Sequence, residues 1–115
     1  MPTLIIHGGA GKARNNNGQE AVAQALRDIA ENTWDKILSG CSALDAAVSA
    51  ARMLENQPLF NAGVGSKLQS DGVARLSAAL MNGQTECFSG VINVEGILNP
   101  IDLCLALQKV FPKKF

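Results

Sequence analysis

Between Glu20 and Glu55 two stripes of apolar residues at helical spacing follow one another, broken only at Gly40-Cys41-Ser42. Val22, Leu26, Ile29, Thr33 and Ile37 recur at intervals of three and four, with Trp34 and Leu38 beside them and Gly40 just past the end, which predicts a helix over 20–39. Ser42-Ala43-Leu44-Asp45 has the form of a capping box, in which the serine oxygen takes an orphan amide of the next helix and Asp45 reaches back to the cap. That second helix runs from Ala43 to about Glu55, with Leu44, Ala47, Val48, Ala51 and Leu54 on one face. Its many alanines permit close packing, and a one-sided stripe needs a second layer to bury it.

The rest of the chain supplies strands. Thr3 to His7 is short, rich in Leu and Ile, and stopped by Gly8-Gly9, as expected of a buried strand entering a tight turn. Residues 12–19 are polar and aperiodic, the pattern of a surface loop. Pro58 ends the second helical pattern, and Asn61-Ala62-Gly63-Val64-Gly65 is a further glycine-bearing turn. Ser66 to Ser70 and Val73 to Met81 read as strands joined by Asp71-Gly72, a hairpin signal because both residues tolerate positive φ. Ala74, Leu76, Ala78 and Leu80 share one face of the second of these, and Asn82-Gly83 begins another turn. Phe88 to Val94 alternates as a strand, and Asn99-Pro100-Ile101-Asp102 offers an N-cap, a proline at the first helical position and an acid in the first turn of a helix reaching about Val110. The order is strand, two helices, three strands, helix, which makes the fold class α+β and layered.

Composition closes several functional classes. At 115 residues the chain has the size of one domain, and Lys+Arg and Asp+Glu both total 10, so no field draws a polyanion; the one basic cluster is Lys109, Lys113 and Lys114, read as a solvated end. Neither nucleic acid nor a membrane is an expected partner, since no apolar run reaches the roughly 18 residues a bilayer span needs. The N-terminus has a histidine and glycines where a signal peptide has its apolar region, so the reading is a cytoplasmic protein. Cys41, Cys87 and Cys104 are odd in number and widely separated, which fits reduced thiols, and a single histidine leaves no zinc site.

Residues 7–11, His-Gly-Gly-Ala-Gly, invite comparison with phosphate-binding loops. A phosphate loop requires glycine, four residues, then Gly-Lys-Ser/Thr. Here Gly11-Lys12 is followed by Ala13, and Ile6 stands where the first glycine belongs. A dinucleotide fingerprint also fails, because the third glycine is missing after Gly9-Ala10-Gly11.

The order of motifs instead resembles the plant-type asparaginase and isoaspartyl peptidase family of N-terminal nucleophile hydrolases. His7-Gly8-Gly9-Ala10-Gly11 comes first, then Ser42-Ala43-Leu44-Asp45-Ala46, then the specific string Pro58-Leu59-Phe60-Asn61-Ala62-Gly63-Val64-Gly65-Ser66, followed by Asp71-Gly72, Met81-Asn82-Gly83 and Asn99-Pro100-Ile101. The resemblance reaches about Val110. It implies a four-layer αββα sandwich of which residues 1–115 form only part of the first (alpha) subunit, and a precursor that cuts itself to expose a threonine. That threonine serves as nucleophile, its own α-amine as base. The implied substrate is a small amide, L-asparagine or a β-aspartyl peptide, and the implied assembly is an (αβ)2 particle whose second (beta) subunit carries the nucleophile. The threonines of this chain, Thr3, Thr33 and Thr85, lack the sequence context of that nucleophile. The expected catalytic threonine therefore lies elsewhere, and the chain alone is expected to be inactive, with an exposed apolar face and marginal solubility.

By the same resemblance His7, Gly8, Gly9, Gly11 and Asn61 are supporting residues, Asn61 near the nucleophile and the glycines as residues of backbone shape. The implied cofactor is limited to a structural sodium or other monovalent cation, wrapped by the main-chain carbonyls of Leu54, Glu55, Gln57, Phe60, Ala62 and Val64. Read from the residues alone, that stretch is a turn after a helix, Asn61 a turn residue and His7 the end of a strand. Arg75, Ser77 and Asn82 depart from the family pattern, which has acidic residues at these places. A non-catalytic scaffolding or regulatory remnant that pairs with a full-length paralogue is the alternative reading.

Overall fold

In the computed structural model, which describes residues 1–11 and 16–112, the described residues form α1 (Asn16–Leu38), α2 (Ala43–Asn56), a 3-10 turn at Gly63–Gly65, β1 (Leu76–Asn82), β2 (Cys87–Val94) and α3 (Pro100–Val110). Helix α1 starts ahead of its apolar stripe: part of the expected 12–19 loop, residues 16–19, is helical, and 12–15 lie outside the described residues. Periodicity marks only the apolar stripe of a helix, so a polar first turn carries no such signal. Gly40 ends α1 at φ +97°, with its N–H on the Ile37 carbonyl (3.0 Å) and the Cys41 N–H on Lys36 (3.2 Å). This pair of bonds is a Schellman closure, and the positive φ is what glycine is there to provide. Ser42 then caps α2 by accepting the Asp45 N–H at 3.1 Å, the expected first half of the capping box.

Helix α2 is shared by two cores. Ala50 packs with Ala25 and Ile29 of α1 and with Phe60 from the following loop, flanked by Ile6, Val22, Leu26, Met53 and Leu54. Val48 packs instead with Leu80 of β1 and with Ile101 and Cys104 of α3. Thr33, fully buried in α1, donates its hydroxyl to the Ile29 carbonyl at 2.7 Å, which satisfies it within the helix.

Strands β1 and β2 form an antiparallel hairpin in which Met81 faces Phe88 and Asn82 faces Cys87. The register is interrupted between Leu76↔Val94 and Ala78↔Val91, where β2 carries one extra residue and Asn93 takes φ +54°, a bulge. Ser89 donates to the Cys104 carbonyl at 2.6 Å, and the Gln108 amide donates to Leu80 (2.9 Å) and Cys87 (3.5 Å), fastening α3 to the inner face. The outer face is exposed, with Met81 at 47%, Phe88 at 45% and Ile92 at 80%.

Three expected elements differ. Thr3 to His7 runs without secondary-structure assignment, because the described residues place no strand beside it. Ser66 to Ser70 is irregular, and β1 begins at Leu76 instead of Val73. Asp71-Gly72 does turn the chain, with Gly72 N–H on the Gln69 carbonyl (2.8 Å) and Gln69 N–H on Val73 (3.0 Å), but its arms do not pair as strands. The partner of β1 is β2, across the turn at Asn82-Gly83. Among the described residues one two-stranded sheet has helices on its inner face, a mixed α and β arrangement of two layers where four are expected. The slab measures 42 × 37 × 20 Å, and its radius of gyration of 15.0 Å exceeds the roughly 13 Å of a compact domain near this size. Among the described residues no helix is long and apolar enough to cross a membrane, and the three cysteines are free thiols.

Candidate functional site

The loop after α2 coils tightly on itself. Gln57 N–H returns to the Leu54 carbonyl (3.3 Å), Phe60 to Gln57 (3.2 Å), Gly65 to Ala62 (3.1 Å) and Ser66 to Gly63 (3.2 Å). Gly63, at φ +49°, lies so close to the Glu55 carbonyl that a Cβ would overlap it, and a Cβ on Gly65 would overlap the Pro58 and Phe60 carbonyls. Both glycines are therefore required by close backbone approach. Asn61 fixes the outgoing chain by accepting the Lys67 N–H on its Oδ1 at 2.7 Å.

Phe60 turns inward to the α1/α2 core and meets Gly8 there: a Cβ on Gly8 would stand 2.6 Å from Phe60 Cε1 and 3.2 Å from Leu26 Cδ2. This contact brings the two glycine-bearing segments together. His7, Gly8, Gly9 and Gly11 line one cavity of about 480 Å³ with Asn61 and Lys67, while Leu54, Phe60 and Ala62 form part of its wall. All five supporting residues named from the sequence thus border the same space. Gly9 needs its φ of +107°, whereas nothing stands within 4 Å of a Cβ on Gly11.

The carbonyls expected to hold a cation are those of a neutral, oxygen-only donor set, which suits a hard monovalent ion. Leu54, Gln57 and Ala62 each already accept one backbone N–H, and a carbonyl keeps a second lone pair. Among the described residues there is no cluster of His, Cys, Asp or Glu that could hold a metal.

Two charged residues of this region escape a reading of spacing. The Glu55 side chain is buried, and its Oε2 accepts the Ile101 N–H at 3.2 Å while Oε1 accepts the Asn99 Nδ2 at 3.4 Å. Burial pushes its carboxyl above the usual range, against those two hydrogen bonds; Asp102 adds to the rise and Arg52 opposes it. Asn99, expected as the side-chain cap of α3, makes no such bond, because Glu55 occupies that role. Lys67 borders both this cavity and an adjoining one of about 320 Å³ shared by Glu55, Asn61, Arg75 and Ser77. No pattern marks it in the sequence beyond its place after Gly65-Ser66.

The three departures from the family pattern have local partners. Arg75 donates to Glu95 (2.7 Å) and Gln69 (2.6 Å) and pairs with Asp71 at 2.8 Å; Ser77 accepts the Asn93 N–H at 3.1 Å across the bulge; Asn82 accepts the Gln84 N–H at 3.1 Å in the hairpin turn. An acid at position 75 would stand beside Asp71 and Glu95 and be repelled.

A family model described as asparaginase matches residues 1–111, and the chain belongs to that family. An isoaspartyl peptidase/L-asparaginase of Synechocystis sp. is 50% identical over 107 residues, covering 93% of this chain and 32% of the relative. A plant-type L-asparaginase of Pyrococcus furiosus is 39% identical over 113 residues, 98% of this chain and 36% of the relative. An isoaspartyl peptidase/L-asparaginase of Rattus norvegicus is 33% identical over 112 residues, 97% and 34% respectively. The chain spans about a third of the length of these curated relatives.

Proposed function

We propose that this chain forms the leading structural part of a cytoplasmic amidohydrolase that cleaves L-asparagine or β-aspartyl peptides with a threonine nucleophile supplied from outside these 115 residues. The observation that carries the reading is the cavity where the His7–Gly11 segment and Asn61 converge, in a chain whose relatives bear the names asparaginase and isoaspartyl peptidase. None of its own threonines suits the role. Thr33 is locked in α1 by its bond to Ile29, and Thr3 and Thr85 are exposed away from that cavity's lining.

In the proposed reaction the threonine hydroxyl attacks the side-chain amide carbon while its α-amine takes the proton, ammonia or a peptide amine leaves, and water then releases aspartate from the acyl-enzyme. This chain's part is positional. Glycines 8 and 9 let backbone border the reacting centre closely, Asn61 holds its amide toward the cavity, and a sodium or similar ion on the loop carbonyls would stiffen residues 54–64. A second subunit, released by self-cleavage and assembled as (αβ)2, would complete the four-layer sandwich and cover Met81, Phe88 and Ile92. Arg75, Ser77 and Asn82 each have a partner close in the chain or across the hairpin, Arg75 with Asp71, Ser77 with Asn93 and Asn82 with Gln84.

The test is expression together with the downstream coding sequence, followed by mass spectrometry for self-cleavage and by ammonia release from L-asparagine. Cleavage before a threonine with ammonia release supports the proposal. A folded protein that shows neither supports the non-catalytic partner of a full-length paralogue.

A further inference from the structure

Glu55 is the one buried acid among the described residues, and its two ends hold different parts of the molecule. Its backbone carbonyl lies against Gly63, within the overlap distance of a side chain. Its carboxylate accepts the Ile101 N–H, an orphan donor in the first turn of α3, and the Asn99 amide, which also donates to Asn56 Oδ1 at 3.0 Å. Helix α3 thus takes its cap from a residue 46 positions earlier, and the anion stands at the positive end of the helix. Gln108 and Ser89 in turn fasten α3 to the hairpin.

We propose that Glu55 is a positioning residue for the candidate site: one residue seats the loop bearing Asn61 and anchors it to α3 and the hairpin layer. Both partners of the carboxylate are N–H donors, so both oxygens must accept. Glutamine has one acceptor oxygen and would turn its NH2 toward a donor. Glutamine thus leaves one buried N–H donor unpaired, a cost that removal of the buried charge offsets only in part. The signature of a positioning role is a loss of loop placement without a loss of fold.

This inference rests on the proposed amidohydrolase reading for its kinetic test, and a second readout separates the two. In the active, full-length protein Glu55→Gln is expected to lower kcat on the order of 10-fold, with KM within about 2-fold and a melting temperature lowered too little to account for that loss, since misplacement near a reacting centre acts on the chemical step. Asn99→Ala, which removes one donor and leaves the carboxylate, is expected to give a smaller change in the same direction. Hydrogen exchange should quicken together in residues 57–67 and 100–104 in both variants. Unchanged kinetics and exchange in Glu55→Gln overturn the proposal, as does a fall in activity that only tracks a fall in melting temperature. If Glu55→Gln does not fold, Asn99→Ala decides, and wild-type exchange in that variant is the overturning result. If the wild-type protein hydrolyses no amide, the functional reading fails on its own. Exchange then decides the anchoring role: joint quickening of the two segments upholds it, and quickening confined to one removes it.

Discussion

The core between α1 and α2 closes over a loop residue, Phe60, whereas the core beneath the hairpin is made only of residues in regular elements, Val48, Leu80, Ile101 and Cys104. The second has its members fixed several times over, by the strand ladder and by the bonds from Ser89 and Gln108. In the first, the two backbone segments that border the candidate site meet through one ring, Phe60 on Gly8. Among the described residues no ladder joins them. The contrast places the hairpin among the robust parts of the molecule and the site among those whose shape depends on a few side chains, as expected where loops carry function on a scaffold.

The strongest way to break this contrast is to remove the ring. Phe60→Ala is expected to cost about 3–5 kcal/mol, a large share of the roughly 5–15 kcal/mol that holds a domain together. Ile101→Val, in the hairpin core, should cost only about 0.5–1.5 kcal/mol and leave the exchange of residues 7–11 unchanged. Urea unfolding of both variants checks the pair. Faster exchange at 7–11 in Ile101→Val means that the two cores are not separately organised.

A finer test compares two glycines with positive φ. Gly40 faces open space, while Gly63 lies on the Glu55 carbonyl. Gly40→Ala should therefore cost only the left-handed penalty, about 1–2 kcal/mol. Gly63→Ala must also displace backbone and belongs toward the upper part of the roughly 1–3 kcal/mol range for strained positions, or beyond it. Melting temperatures of the two variants rank them, and a lower cost at Gly63 would show that the loop yields easily.

Much of this architecture was legible in the sequence where a signal is local. The stripes of α1 and α2, Gly40 as terminator, Ser42 as cap and the alternation of Phe88 to Val94 all correspond to observed elements. The failures share a cause. Thr3 to His7 has strand composition, but a strand is defined by its partner, and the described residues offer none. Asp71-Gly72 makes a turn, yet Arg75 and not a ladder holds its arms. In the site, the motif strings led to His7, Gly8, Gly9, Gly11 and Asn61, whose common cavity appears only when Phe60 folds inward. The Glu55 carboxylate was out of reach because its partners, Asn99 and Ile101, are more than 40 residues away.

The smallest expected effect comes from the clasp on the irregular arm that leads into β1, and it sharpens the contrast from the hairpin's side. Arg75, through its hydrogen bond to Asp71, and then the Val73 N–H hold the Asp71 carboxyl below the usual carboxylate range. A depressed carboxyl stabilises the fold above its unfolded value, near pH 3.9, and loses that contribution as pH falls through its lower folded value. Asp71→Asn should therefore lower the melting temperature slightly at neutral pH, and the difference from wild type should begin to shrink near pH 3.9 and vanish once pH has passed below the lower folded value. Salt should shrink the same difference, because the Asp71 side chain is exposed and such pairs are screened. A gap that persists in acid would mean that Asp71 acts through the turn it shapes with Val73 and not through its charge on Arg75. A large gap at neutral pH would mean that the hairpin depends on a few side chains as much as the site does.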